Sequence, residues 1–171
     1  EEFTGMLKAF KEQKGAEVPL SAAFSQLGDL MDRGIITSPF NLVTRDVYVD
    51  NGQVKIGYAQ QEYKEVLAWL NQLYTDGLLD PNFSTIDDQT VTANILTGKS
   101  GASSGACGSK LGTWLTTNKD MAGYSLAGTK NLVANRGDKA MYGHYNTDVV
   151  GGTTVITTMC RDREAAARFL N

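Results

Sequence analysis

The feature that most constrains the fold is a run of small residues between two helix-forming segments. Residues 100–108 contain only serine, glycine, alanine and cysteine, and a strand without large side chains lets another group approach its backbone closely. Apolar residues at helical spacing precede the run in Gln89–Thr97, which Gly98 ends, and follow it in Ser109–Asn118. The pattern predicts a helix, a strand, a glycine turn and a second helix whose free N–H groups face an open space. We interpret this as the polar end of a ligand cleft; the alternative is that small residues here only allow tight helix–strand packing.

The rest of the chain alternates between helical and extended patterns. Apolar stripes predict four further helices: Glu1–Lys14, Ser21–Arg33, Gln60–Asp76 and Asp162–Leu170. Asn51-Gly52 between β-prone runs predicts a hairpin over Val47–Ile56. Two more runs, Gly123–Ala127 and Thr153–Thr158, are typical of strands. The alternation places the chain in the α/β class.

The helical stripes also predict which side chains face the core. In the second helix these are Phe24, Leu27, Leu30 and Met31. In the longest helix they are Tyr63, Val66, Leu67, Leu70, Leu73 and Tyr74, with Trp69 at the flank. In the last helix they are Ala166, Phe169 and Leu170. A stripe of this kind is nearly always core and not a site.

Composition excludes several classes of function. The 171 residues suit one domain, and the net charge of −3 with scattered lysine and arginine gives no footprint for nucleic acid. No apolar run approaches the roughly 20 residues that a membrane span needs. Cys107 and Cys160 form no CxxC pair, which excludes a cysteine-based zinc site and leaves open whether the two pair with each other. Both ends of the sequence read as helix, so we expect a piece of a longer protein.

One motif suggests an alternative function, a nucleotide-binding enzyme that uses the Gly98-Lys99-Ser100 stretch. Ala93-x-x-x-x-Gly98-Lys99-Ser100 fits the relaxed phosphate-binding loop. That loop requires a strand before it and a helix after it, whereas here a helix precedes Gly98 and an extended run follows Ser100. We therefore interpret the match as chance.

Other candidate residues lie in the segment 141–148. Tyr142, Tyr145 and Asn146 could stack on and hydrogen-bond a sugar, or could belong to a polar surface loop. The single histidine, His144, has no GxSxG elbow elsewhere to complete a hydrolase triad, and a metal site would need more ligands. We expect no catalytic group, metal or cofactor. The tripeptide Arg136–Asp138 matches a cell-adhesion signal, and we interpret it as a turn.

The order of several motifs resembles the extracellular solute-binding proteins of bacterial ABC importers, in particular the oligosaccharide-binding lipoproteins related to maltose-binding protein. The resemblance covers nearly the whole chain as diffuse spacing. It is carried by these stretches: Tyr63-Lys64-Glu65, Leu70–Tyr74 with Gly77-Leu78-Leu79-Asp80-Pro81, the Gly98–Ala102 run after its helix, Met159-Cys160, and Arg163–Ala166 with Phe169-Leu170.

The resemblance implies a type II periplasmic-binding-protein fold, of which residues 1–171 would form one α/β lobe, the second. It implies a binding protein and not an enzyme, with a polar solute such as an oligosaccharide as ligand and ABC permease subunits as partners. The location would be the periplasm or the outer face of a bacterial membrane, reached through a lipid anchor outside this chain.

The resemblance also nominates ligand contacts. The turn after the small-residue strand meets the ligand in the family, which nominates Ser104, Gly105, Ala106 and Cys107. Several sugar binders carry an aromatic residue there, where this sequence has Ala106-Cys107-Gly108. The segment after Pro19 nominates Ser21 and Phe24; Tyr142, Tyr145 and Asn146 complete the set.

Overall fold

A computed structural model describes residues 1–141 and 155–170 of the chain. Tyr142, Tyr145, Asn146 and His144 therefore lie outside the described residues. The described α-helices are α1 (Glu2–Lys14), α2 (Phe24–Asp32), α3 (Gln61–Thr75), α4 (Asp88–Leu96), α5 (Gly112–Thr117) and α6 (Arg163–Leu170). The regular strands in these same ranges are β1 (Val47–Asp50) and β2 (Gln53–Ile56), with short 3-10 turns at Ser38–Phe40 and Gly57–Ala59 and a π-helical turn at Cys107–Leu111. The chain is thus mixed α/β, as predicted.

The predicted hairpin is confirmed. β1 pairs antiparallel with β2, with Val47 opposite Ile56 and Val49 opposite Val54. Asn51 and Gly52 have φ values of 49° and 77°, the left-handed conformations that a two-residue type I′ turn requires.

The centre of the molecule is a parallel pairing of three short segments from distant parts of the sequence. Leu20 forms parallel bridges to Leu79 on one side and to Ala102 on the other. Leu20 N donates to Leu78 O at 2.9 Å, and Ala102 N donates to Pro19 O at 2.9 Å. Helices flank these segments, which makes the arrangement compatible with one lobe of an α/β binding fold.

The core consists of two apolar clusters, the first of which includes Leu20 and Leu79 of this pairing, and Trp69 joins the two. One cluster contains Leu7, Leu20, Leu73 and four further buried residues, and the other contains Met31, Ile36, Leu42 and Val66. Trp69 packs against both and meets Phe3 and Phe40 with ring centroids 6.2 and 6.0 Å apart. Trp69 therefore belongs to the buried face of α3. The predicted stripe is wrong at Leu67 and Tyr74, which are both 45% exposed.

Other predictions of strands and inward residues are wrong. Ser100–Gly108 forms a single bridge at Ala102 and enters the π turn at Cys107, because its small side chains offer a strand little to pack. Gly123–Ala127 forms no strand, and neither does the described part of Thr153–Thr158. Phe24 and Phe169 are 65% and 89% exposed instead of inward.

No helix within the ranges 1–141 and 155–170 is long and apolar enough to cross a membrane. The second of these ranges is largely exposed: a shallow groove of about 340 Å³ lies beside α6, lined by Val155, Ile156, Thr157, Cys160, Ala166 and Phe169. This groove is built from one local segment, and none of the nominated ligand contacts that the structure describes lines it.

Candidate functional site

The three parallel segments end at one edge of the molecule, which we call the carboxyl edge. It comprises Ser21–Gln26, where the central segment enters α2, together with Asp80 and residues 103–107. In open α/β sheets, ligands bind in the crevice outside the carboxyl ends of the parallel strands. All of the nominated contacts that the structure describes lie at this edge, because the parallel pairing brings residues 21, 80 and 102 side by side.

A buried polar network lies beneath the carboxyl edge. Ser21 Oγ donates to Asp80 Oδ2 at 3.3 Å and accepts from Asn94 Nδ2 at 3.0 Å. Asp80 Oδ1 accepts from Asn82 N at 2.9 Å. Ser100 Oγ accepts from Ser21 N at 3.2 Å and donates to Ala102 O at 2.8 Å. Since a buried polar group is costly unless it is hydrogen-bonded, this network fixes the three segments relative to one another.

Ser21 is therefore placed differently from the other nominated residues. Its side chain is fully buried, and its hydroxyl both donates and accepts within the protein. Phe24, by contrast, is the first residue of α2 and is 65% exposed. Its ring stands at the edge as an apolar surface, the kind of surface on which a sugar ring can stack.

Residues 103–107 form the open rim of the edge. Ser104 is half-buried, and Gly105, Ala106 and Cys107 are exposed. A β-carbon added at Gly105 would lie 2.8 Å from Lys110 Cβ, so glycine is required for the lysine to cross the rim here. The π turn begins at Cys107, and such turns are frequent at functional sites.

The structure adds three residues that the sequence analysis missed: Gln26, Asp88 and Lys110. Gln26 Nε2 donates to Ser104 O and to Asp88 Oδ1, each at 3.2 Å, and the same Asp88 oxygen pairs with Lys110 Nζ. Gln26 lies three residues after Ala23, the position from which a glutamine side chain accepts a hydrogen bond from the backbone N–H at the helix start. This spacing could have identified Gln26 from the sequence. Its bond to Ser104 spans 78 positions and has no local signal.

The acidic start of α4 is also part of the edge's electrostatics. Asp87 Oδ1 accepts from Thr90 N and from Thr90 Oγ1, each at 2.8 Å. These hydrogen bonds to the charged form lower the pKa of Asp87. Asp87 is thus the N-cap of α4, while the side chain of Asp88 reaches Gln26 and Lys110.

The stretch Gly98-Lys99-Ser100 does not have the geometry of a phosphate-binding loop. α4 precedes it, Ser100 joins the buried network, and Lys99 Nζ lies 3.5 Å from Glu17 Oε2 on the surface. The order strand–loop–helix that such a loop requires is absent from this described stretch.

Comparisons with known proteins give little further information. No family model matches the sequence, and no curated protein matches it. Among solved structures, the chain is similar to the alginate-binding protein AlgQ2 without calcium ion, with 20% identity and a TM-score of 0.45. The match covers 60% of this chain and 22% of that chain, so it spans about a fifth of the length of AlgQ2.

The other candidates from the sequence are the tripeptide Arg136–Asp138, a pairing of the two cysteines, and a metal site. Arg136 Nη2 pairs with Glu2 at 3.2 Å, and Asp138 Oδ2 accepts from Asn135 N at 2.9 Å, which makes Arg136–Asp138 a hydrogen-bonded surface turn. Cys107 and Cys160 are both free thiols. No group of three or more histidine, cysteine, aspartate and glutamate residues among those described could hold a metal ion.

Proposed function

We propose that the chain is one lobe, the second, of an extracellular solute-binding protein that captures a polar solute, most simply an oligosaccharide, for an ABC importer. The observation that carries this proposal is the carboxyl edge, where three parallel segments end beneath a rim of small residues, of which Gly105, Ala106 and Cys107 are exposed. The longer protein would be lipid-anchored at the outer face of a bacterial membrane or in the periplasm.

In this proposal the lobe supplies half of a cleft and a second lobe closes over the solute. Binding of the solute stabilises the closed form because only that form contacts the solute from both sides. Gly105, Ala106 and Cys107 would present backbone groups to solute hydroxyls, and Phe24 would provide an apolar face. Ser21 would act through the buried network, and Tyr142, Tyr145 and Asn146 would complete the contacts.

The test compares the chain with the longer two-lobed protein. Each is screened by thermal shift against neutral gluco-, galacto- and xylo-oligosaccharides, because a ligand that binds only the folded state raises the melting temperature. We expect a rise for the longer protein and little or none for the chain alone, since affinity depends on burial between two lobes. Tight binding by the chain alone, or no solute bound by the longer protein, would overturn the proposal.

The role of Phe24 is tested with a matched variant. We expect Phe24→Ala in the longer protein to weaken solute binding about tenfold, the value of one stacking contact. Phe169→Ala removes a ring from α6 that is also largely exposed, at 89%, and serves as the control. Equal affinities of the two variants would remove Phe24 from the site.

A further inference from the structure

The rim of the carboxyl edge has little side-chain packing of its own. Residues 103–107 carry no side chain larger than that of cysteine, so apolar packing cannot fix them. Ser103 Oγ is buried without a hydrogen-bond partner in the described part of the chain. The π turn holds Ala106 O through Ser109 N and Leu111 N, each at 3.3 Å, so the conformation at Ser104 and Gly105 must be set by groups from elsewhere in the molecule.

Gln26 supplies the central contact. Its side chain is buried, 8% exposed, and its amide makes three hydrogen bonds. Oε1 accepts from Ala23 N at 2.8 Å, and Nε2 donates to Ser104 O and to Asp88 Oδ1, each at 3.2 Å. One amide thus connects the start of α2, the start of α4 and the rim.

A second contact crosses the rim one residue further on. The aliphatic part of Lys110 passes over Gly105, and its ammonium group pairs with Asp88, the same carboxylate that Gln26 reaches. The rim is thereby held at two successive residues, Ser104 and Gly105, and both attachments end at Asp88.

We propose that Gln26 is the positioning residue of the carboxyl edge: through Ser104 it sets the orientation of the backbone at residues 104–107, with the Asp88–Lys110 pair as its support. The proposal rests on the proposed function for its link to solute binding. It assigns Gln26 no contact with the solute itself.

The decisive variant is Gln26→Glu, which keeps the shape of the side chain and the acceptor for Ala23 N but removes both donors. The new carboxylate also faces Ser104 O and Asp88, so the attachment of the rim is lost. Gln72→Glu is the matched control, because Gln72 Nε2 donates to Asp76 Oδ1 at 2.7 Å on the exposed side of α3. Each variant makes the same chemical change beside an aspartate, and only one lies at the rim.

The readout is the mobility of a nitroxide attached to Cys107 in a Cys160→Ser background, measured on the chain by electron paramagnetic resonance. We expect a narrower spectrum, and hence faster motion, in Gln26→Glu and an unchanged spectrum in Gln72→Glu. If Gln26→Glu fails to fold, Asp88→Ala at the exposed first residue of α4 removes the shared carboxylate and should give partial mobilisation. An unchanged spectrum in the folded variants would overturn the proposal.

Solute binding is measured separately, on the unlabelled longer protein with the same oligosaccharide panel. Loss of the thermal shift in Gln26→Glu but not in Gln72→Glu supports the positioning role in binding. A mobile label with an unchanged thermal shift would leave the rim positioned by Gln26 but place the solute elsewhere, which overturns the proposed site alone. Failure of the two proposals can thus be told apart.

Discussion

The hairpin and the parallel pairing around Leu20 are both β-structure, but they are stabilised in different ways. In the hairpin, partners are close in sequence, and one face carries four aliphatic side chains, those of Val47, Val49, Val54 and Ile56, that are 49–71% exposed. In the parallel pairing, the central residue Leu20 is 6% exposed and its partners, Leu79 and Ala102, lie 59 and 82 positions away. Local turn geometry specifies the first, and burial and a polar network specify the second.

The largest predicted effect is a difference in free energy of unfolding between two alanine substitutions, one in the parallel pairing and one in the hairpin. Leu20→Ala should lower the free energy of unfolding by about 3 kcal/mol, because it removes a buried side chain from the main core. Val49→Ala should change it by less than about 0.5 kcal/mol, because Val49 is 68% exposed. Urea unfolding of the two variants measures this, and comparable losses would mean that the hairpin is part of the cooperative core.

The attachment of the hairpin to the body gives the second prediction. A β-carbon at Gly57 would lie 2.0 Å from the carbonyl oxygen of Thr44 and 2.6 Å from Arg45 Cα. Gly57→Ala should therefore cost about 2 kcal/mol, since a backbone contact cannot move aside as a flexible side chain can. Thermal unfolding measures the cost.

Gly5→Ala is the control for this substitution. Gly5 lies within α1 with no atom within 4 Å of an added β-carbon, and alanine should stabilise the helix by about 0.5 kcal/mol. Similar melting temperatures for the two variants would show that the backbone at Thr44 and Arg45 can move to make room for the added methyl group.

The same contrast explains how far the sequence could predict the structure. The hairpin follows from Asn51-Gly52, and the end of α4 follows from Gly98, whose φ is 73°. The central segment could not be recognised, because Pro19 and Leu20 show no strand pattern of their own and pair only with distant residues. Periodicity correctly placed Val66 and Leu73 on the buried face of α3 but also included Leu67, because spacing alone could not show that Trp69 lies between two clusters while Leu67 lies at the surface.

In the candidate site, too, local features could be predicted from the sequence and tertiary contacts could not. The run of small residues and the cap at Asp87 could be found from the sequence, because each is a local pattern. Gln26, Asp88 and Lys110 could not be connected to the run, because their contacts depend on where α2 and α4 begin in space. Ser21 lies two residues after Pro19 and within the carboxyl edge, but only the tertiary network reveals that its hydroxyl is already used.

A third prediction tests whether the hairpin opens independently. Gly52 has a φ of 77°, and Gly52→Ala should destabilise the turn by about 1 kcal/mol, the cost of the left-handed conformation for a residue with a β-carbon. Because an isolated two-stranded hairpin is marginally stable, we expect faster amide exchange at Val49 and Val54 and an unchanged melting temperature. A fall in melting temperature would show that the ribbon and the body unfold together.

The smallest predicted effect concerns pH and the start of α4. The pKa of Asp87 is lowered in the folded chain by hydrogen bonds from Thr90, so its charged form stabilises the fold above the unfolded-state pKa of about 3.9. That contribution is lost as the pH falls through the lower folded-state pKa. Asparagine caps a helix about as well and does not titrate, so Asp87→Asn should lose less stability than the wild type between pH 6 and pH 3 in urea unfolding.

The control is Asp120→Asn, which removes an exposed carboxylate that caps no helix and should keep the wild-type pH dependence. If it departs from the wild type as far as Asp87→Asn does, the effect is caused by net charge and not by the cap beside the carboxyl edge.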